Sequence, residues 1–172
     1  MLRYQRGELA AFELLYQRHR GGSYRYLLRG CGNEDVAAEL FQDVWASVVR
    51  SRARYQVKAR FATWLYKLAH NRLIDHYRAA KPGAEAIDDS FELAAPEHLQ
   101  PEAQAAAAST ARRLLQALGA LPCEQREAFL MKEEGGLSLE QIADVTGVGR
   151  ETVKSRLRYA LSRLRGALAD VV

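Results

Sequence analysis

Apolar side chains recur along this chain every three to four residues, the period that places them on one face of a helix. Leu9, Phe12, Leu15 and Tyr16 open the first such stripe at about residue 8, and Tyr24, Leu27 and Leu28 continue it to Gly30-Cys31-Gly32. Gly21-Gly22 falls between the two halves, and paired glycines disfavour a continuous helix, so a break or bend is expected there. Asn33 is placed to cap a second helix with Glu34 and Asp35 in its first turn, where the helix dipole favours acids. Ala37, Leu40, Phe41, Val44, Trp45 and Val48 form its inner stripe and leave Glu39, Gln42, Asp43 and Ser47 on the other face. After a basic loop, residues 50–58, a third helix is predicted from about Arg60 to Ala80, with Phe61, Trp64, Leu65 and Leu68 at helical spacing.

Periodicity lapses between Lys81 and Pro101, where Pro82, Gly83, Pro96 and Pro101 are interspersed with acids. It returns in an Ala-rich helix over about 102–118, ended by Gly119 and Pro122, and in a helix over about 123–134 that presents Phe129, Leu130 and Met131. Ser138 with Gln141 is a capping-box signal for a further short helix, whose inner face is Leu139, Ile142, Ala143 and Val145. Thr146-Gly147-Val148-Gly149 is too short for a free loop and reads as a sharp turn into a last helix. The stripe of that helix is Val153, Leu157, Ala160, Leu161, Leu164 and Leu168, and its remaining face carries Arg150, Glu151, Thr152, Lys154, Ser155, Arg156, Arg158, Tyr159 and Arg163. The fold class expected is therefore all-α. Two small helical domains are joined by a flexible acidic linker, and the C-terminal one is a helix-turn-helix domain. The boundaries are 1–80, a linker over 81–101, and 102–172.

Composition agrees with helix, because Ala, Leu, Arg and Glu are abundant and β-branched residues scarce. At 172 residues the chain can bury one good core or two small ones. The net charge of +4 is modest, but its distribution is uneven. Residues 1–80 hold fourteen Lys and Arg against seven Asp and Glu. Residues 81–111 hold Lys81 alone against Glu85, Asp88, Asp89, Glu92, Glu97 and Glu102. Two basic lobes flank an acidic strap, whose acids either imitate nucleic-acid phosphates or simply extend a tether by self-repulsion. Cys31 and Cys123 match no metal or redox spacing, so both are read as reduced packing residues and no metal or cofactor is expected. No apolar run is long enough to span a membrane, and a cytoplasmic protein is expected.

A basic amphipathic helix is often only a solvated face. Here the compact glycine-bearing turn, and the mixture of long cations with Thr152, Ser155 and Tyr159, favour DNA. Cations suit phosphates, and small hydroxyls near the helix start let it approach base edges. In the N-terminal lobe, Trp64 and Tyr66 stand beside Lys67, His70, Asn71 and Arg72, and Tyr55 lies in the basic loop. Aromatics interleaved with cations suit single-stranded nucleic acid. Phe61 and Trp64 are read as core, while Tyr55 and Tyr66 stay open between packing and base stacking.

The segments 37–48 (AAELFQDVWASV), 61–78 (FATWLYKLAHNRLIDHYR) and 121–165 together resemble the sigma factors of bacterial RNA polymerase. The short linker, with no third domain between the lobes, is similar to the extracytoplasmic-function (ECF) type. The resemblance implies sigma region 2 over 1–80, which binds core polymerase and recognises and melts the minus-10 element. It implies sigma region 4 over 102–172, which reads the minus-35 element. Glu39, Gln42 and Asp43 then become polymerase contacts. Arg54, Tyr55, Lys58, Tyr66, Lys67, His70, Asn71, Arg72 and Arg78 become contacts to the downstream element. Arg150, Thr152, Lys154, Ser155, Arg156, Arg158 and Tyr159 become contacts to the upstream element, with base edges assigned to Lys154, Ser155 and Arg158. Taking Val153, Leu157 and Leu161 as the buried direction, Arg156 lies toward the core margin, where it holds phosphate or packs its stem. The implied partners are core RNA polymerase, promoter DNA and an anti-sigma factor; catalysis is not implied. Two departures stand out. Glu151 precedes the Thr-Val-Lys-Ser-Arg core, where a small residue is usual, and Gly21-Gly22 replaces an Ala-Pro. Two other functions fit the same helices: a helix-turn-helix repressor or activator that binds palindromes as a dimer, and a helical adaptor that binds only protein.

Overall fold

The computed structural model describes residues 1–80 and 103–169 of the chain, the side chains of 80 and 103–110 excepted. Among them every element is helical. A short helix α1 (Leu2–Gln5) precedes α2 (Leu9–Cys31), α3 (Glu34–Arg50), a 3-10 turn (Arg52–Arg54) and α4 (Phe61–Ala80). The C-terminal half follows as α5 (Ala103–Gly119), α6 (Cys123–Gly135), α7 (Leu139–Thr146) and α8 (Arg150–Leu168). The acidic segment expected to link the halves, with Asp88, Asp89 and Glu92, lies outside the described residues.

Local signals set the helix starts. The Asn33 side chain accepts from the Val36 amide at 3.0 Å. Ser138 and Gln141 form the full reciprocal box, with the Gln141 amide donating to Ser138 Oγ at 3.3 Å and the Ser138 amide donating to Gln141 Oε1 at 2.8 Å. Gly147 ends α7 at φ 72°, a left-handed conformation that costs glycine nothing and lets α8 start three residues later.

Two expectations are corrected. The first long helix does not break at Gly21-Gly22; α2 runs unbroken through both. The reason is tertiary, because a Cβ at Gly22 would stand 2.4 Å from the Glu134 carbonyl oxygen at the end of α6. Those glycines therefore serve close helix packing. In α8 the buried stripe is Val153, Leu157, Ala160 and Leu164, while Leu161 is 40% exposed. The helix is rolled so that Ala160, not Leu161, meets the core, which lets α5 lie close against it.

The two halves do not stand apart. One hydrophobic core runs from Tyr26, Leu27, Val44, Trp45 and Leu65 of the N-terminal half into Leu130, Met131, Leu137, Ile142 and Val145 of the C-terminal half. Helix α6 packs along α2 and α4, and α7 packs against α4. A second, smaller cluster of Leu118, Leu121, Ala160 and Leu164 ties α5 to α8. Around Trp45 the N-terminal half is aromatic, with Phe12, Tyr16, Phe41 and Phe61 all within 6.5 Å between ring centroids.

Removing the α7 cap tests the local part of this account. Ser138→Ala is expected to lower unfolding stability by about 0.5–2 kcal/mol, measured by urea titration, with helix content of the native state unchanged.

Candidate nucleic-acid and polymerase interfaces

Three surfaces gather the residues singled out by the sequence. The first is on α3, where the inner stripe Ala37, Leu40, Val44, Trp45 and Val48 is buried. That orientation turns Glu39, Gln42 and Asp43 outward, and all three are exposed. Spaced i, i+3 and i+4, they share one patch of helix surface.

The second is a groove of about 550 Å³ between the 51–59 segment and α4. Arg54, Tyr55, Gln56, Lys58, Trp64 and Lys67 line it, so three cations surround two rings. Tyr55 and Trp64 meet edge to face at 4.9 Å. Tyr55 is itself buried, and burial raises its hydroxyl pKa above the usual phenol range. Its ring thus forms the groove's floor and packs Trp64, which is half-buried. Asp144 and Val145 of α7 complete the lining, a contribution no sequence motif announced.

Not every expected contact reaches this groove. Asn71 and Arg78 are exposed and Arg72 half-buried farther along α4, but none of them lines the groove. Tyr66 and His70 differ more from expectation. Tyr66 is 1% exposed; its ring lies against Gly135 and meets Tyr26 edge to face at 5.1 Å. Burial and the nearby Glu134 carboxylate push its hydroxyl far above the usual phenol range. The His70 ring pairs with the Glu127 carboxylate, which also accepts from the Tyr26 hydroxyl at 2.9 Å. Both residues face the C-terminal half because that half covers this side of α4. The aromatic-basic surface expected across 64–72 is divided between groove and interface.

The third surface is the outer face of α8. Lys154, Arg158, Thr152, Arg150 and Tyr159 are exposed, and Ser155 and Arg156 half-buried. The half-burial of Arg156 agrees with its expected place at the core margin. Arg150 Nε donates to Glu140 at 2.5 Å, and its Nη1 donates to Glu151 at 2.9 Å. Arg150 holds the Glu140 carboxyl down to about 2, well below the usual carboxylate range. Glu151 also lies 3.6 Å from Lys154 Nζ. The acid that departs from the family pattern therefore sits between two cations of the reading face, and Arg150 braces the turn between α7 and α8. Such exposed pairs contribute little to stability. They fix where the cations start from.

Among the described residues no group of three or more His, Cys, Asp and Glu is placed to hold a metal ion, and no helix is long and apolar enough to cross a membrane.

Comparison with known proteins agrees with these surfaces. The family models for sigma-70 region 2 and sigma-70 region 4 match residues 15–82 and 111–164. The RNA polymerase sigma factor CarQ of Myxococcus xanthus is 32% identical over 175 residues, covering 99% of this chain and 97% of the relative. The ECF RNA polymerase sigma factor SigL of Mycobacterium tuberculosis is 32% identical over 170 residues, covering 95% and 92%. The fold is that of the sigma factor RpoE in complex with the anti-sigma factor NepR from Bartonella quintana. There the TM-score is 0.69 at 19% identity, over 92% of this chain and 97% of that one. CnrH in complex with the cytosolic domain of CnrY is similar at a TM-score of 0.67 and 19% identity, over 96% and 92%. With two sigma-70 regions in order and full-length relatives at this identity, the chain belongs to the extracytoplasmic-function sigma factors, promoter-specificity subunits of RNA polymerase.

Proposed function

We propose a division of labour among the three surfaces, with residues 1–80 acting as region 2 and 102–172 as region 4. The acid-bearing face of α3 docks on core polymerase through Glu39, Gln42 and Asp43. The groove between the 51–59 segment and α4 receives an unpaired base of the displaced strand at the minus-10 element. The outer face of α8 reads the minus-35 duplex.

The observation that carries this reading is the groove. Arg54, Lys58 and Lys67 supply positive charge around the rings of Tyr55 and Trp64. Stacking and phosphate contact there offset the few kcal/mol that unpairing a base costs. The chain works in the cytoplasm, where polymerase and chromosome meet. It binds and positions; bond formation is left to the polymerase. An anti-sigma factor is the third partner, supported by the two solved neighbours, each a complex of that kind.

Reconstitution tests the whole assignment. Promoter-directed transcription is expected to require this chain together with core polymerase. Asp43→Arg is expected to weaken core binding in a pull-down while leaving helix content intact, and unchanged affinity would remove α3 from the dock.

The groove has its own test. Arg54→Ala is expected to reduce promoter opening, read by permanganate reactivity, more than it reduces duplex binding. Equal loss of both would make Arg54 a general phosphate contact.

On α8 the expected effects separate by residue. Lys154→Ala or Arg158→Ala shifts which upstream base is preferred, at a cost of about 1–3 kcal/mol for the parental element. Arg156→Ala weakens all sequences alike and flattens the salt dependence. A selection over randomised upstream elements distinguishes the two patterns.

A further inference from the structure

The interface between the two halves contains more specific chemistry than a chance contact. The Glu134 carboxylate, its side chain 8% exposed, accepts from Arg25 Nε at 2.7 Å and pairs with Arg29, both on α2. One turn and more earlier on α6, Glu127 takes the Tyr26 hydroxyl and the His70 ring. Two carboxylates of α6 thus clamp four residues of α2 and α4. Between them the backbones approach as closely as glycine permits. A Cβ on Gly22 would meet the Glu134 carbonyl oxygen at 2.4 Å, and one on Gly135 would meet the Tyr66 ring at 2.9 Å.

We infer that this clamp is an intramolecular latch that holds the free chain shut, with α7 closing the single-strand groove, and that the chain must open to engage a promoter. The gating part rests on the function proposed above. In the closed arrangement Asp144 and Val145 form part of the groove wall, an acid set where a phosphate would come. The span is also wrong. Helix α7 packs against both α4 and α8, so two successive helix contacts at about 8–10 Å hold the α4 and α8 axes within about 20 Å. Elements at minus-35 and minus-10 are separated by about 25 base pairs, about 85 Å of duplex at 3.4 Å per pair. One closed chain cannot reach both. The closed surface also holds a sign of incomplete satisfaction: the buried Tyr66 hydroxyl has no hydrogen-bond partner among the described residues.

Cys123 is a native reporter of the latch. It lies in a small cavity whose other walls include Tyr26, Gly30, Leu73 and Tyr77 of the N-terminal half, and burial pushes its thiol up to about 11. Separation of the halves removes that cover.

The test is maleimide labelling of the full chain at fixed pH, with the modified residue assigned to Cys123 by mass spectrometry. Gly22→Ala is the key variant, because alanine favours the helix while its Cβ obstructs the interface. Glu134→Gln is the second, because it removes the charge without adding bulk. Labelling is expected to be slow in the parent. In both variants it should be faster by roughly tenfold or more, as expected from weakening hydrogen bonds to a buried charge, with unchanged circular dichroism. Small-angle scattering of the parent should give a radius of gyration of about 16 Å, the value for a compact chain of this length. Binding of a fluorescent single-stranded oligodeoxynucleotide should tighten in the variants. Parent labelling as fast as in the variants, or scattering from two separated lobes, would overturn the latch, and neither readout involves DNA or polymerase. Faster labelling with unchanged oligonucleotide binding would overturn the gating, and Arg54→Ala in the opened variant shows whether the groove binds the strand at all.

Discussion

The contact on which the arrangement depends is the crossing of α6 over α2 at Gly22. It sets how close the two halves come, and with that which face of α4 is covered. Ion pairs alone do not hold it. Burying a carboxylate costs several kcal/mol, and pairing it with arginines roughly offsets that cost without a large surplus. The net attraction comes from the apolar surface of Tyr66, Leu130, Met131, Leu137 and Ile142 withdrawn from water, at about 25 cal/mol per Å². Glu134 and Glu127 act instead on register. A slip of α6 along α2 would strand either carboxylate unpaired, at a cost of about 3–5 kcal/mol for a buried pair broken.

Much of this was legible in the sequence because much of it is local. The capping box at Ser138, the cap at Asn33, the short glycine-bearing turn at 146–149 and the outward face of α3 all follow from spacing within one or two turns. The N-terminal boundary of α4 and the extent of α6 did as well. What the sequence concealed depends on contacts between residues far apart in the chain. Gly21-Gly22 resembles a helix breaker until Glu134, more than a hundred residues later, occupies the space a side chain would fill. Leu161 has the spacing of a buried residue, but the roll of α8 is decided by how closely α5 approaches Ala160. Tyr66 and His70 have the composition of a nucleic-acid surface and are covered by the other half.

The site divides in the same way. Arg54, Tyr55, Lys58 and Lys67 were nameable because cations and rings crowd one short stretch, and the structure brings them to one groove. Asp144 was not, since nothing about an acid on α7 signals that it faces α4. Glu151 was visible only as a departure from a pattern. Its place between Arg150 and Lys154 gives that departure a physical content. The acid lowers the positive potential where α8 would enter the groove of DNA, so non-specific attraction to phosphate is weakened, while its own carboxylate stays available to accept from a cytosine amino group.

A closed form in which polar groups are incompletely satisfied has a thermodynamic consequence. An unpaired buried hydroxyl such as that of Tyr66 costs about 1–3 kcal/mol, a sizeable fraction of what one interface of this kind can contribute. The halves are therefore held by a margin small enough for a competing surface to reverse. Any partner that takes the α3 face alone leaves this balance untouched, because Glu39, Gln42 and Asp43 lie outside the interface and bind equally in both forms. A partner that also engages the face of α4 or α6 now in contact draws differential binding energy from opening, and only differential energy shifts the equilibrium. Opening must then be driven by contacts to surfaces the closed chain hides, Tyr66 and His70 among them. The residues that best fit a nucleic-acid surface by composition, yet are buried here, are those whose exposure the open form would gain.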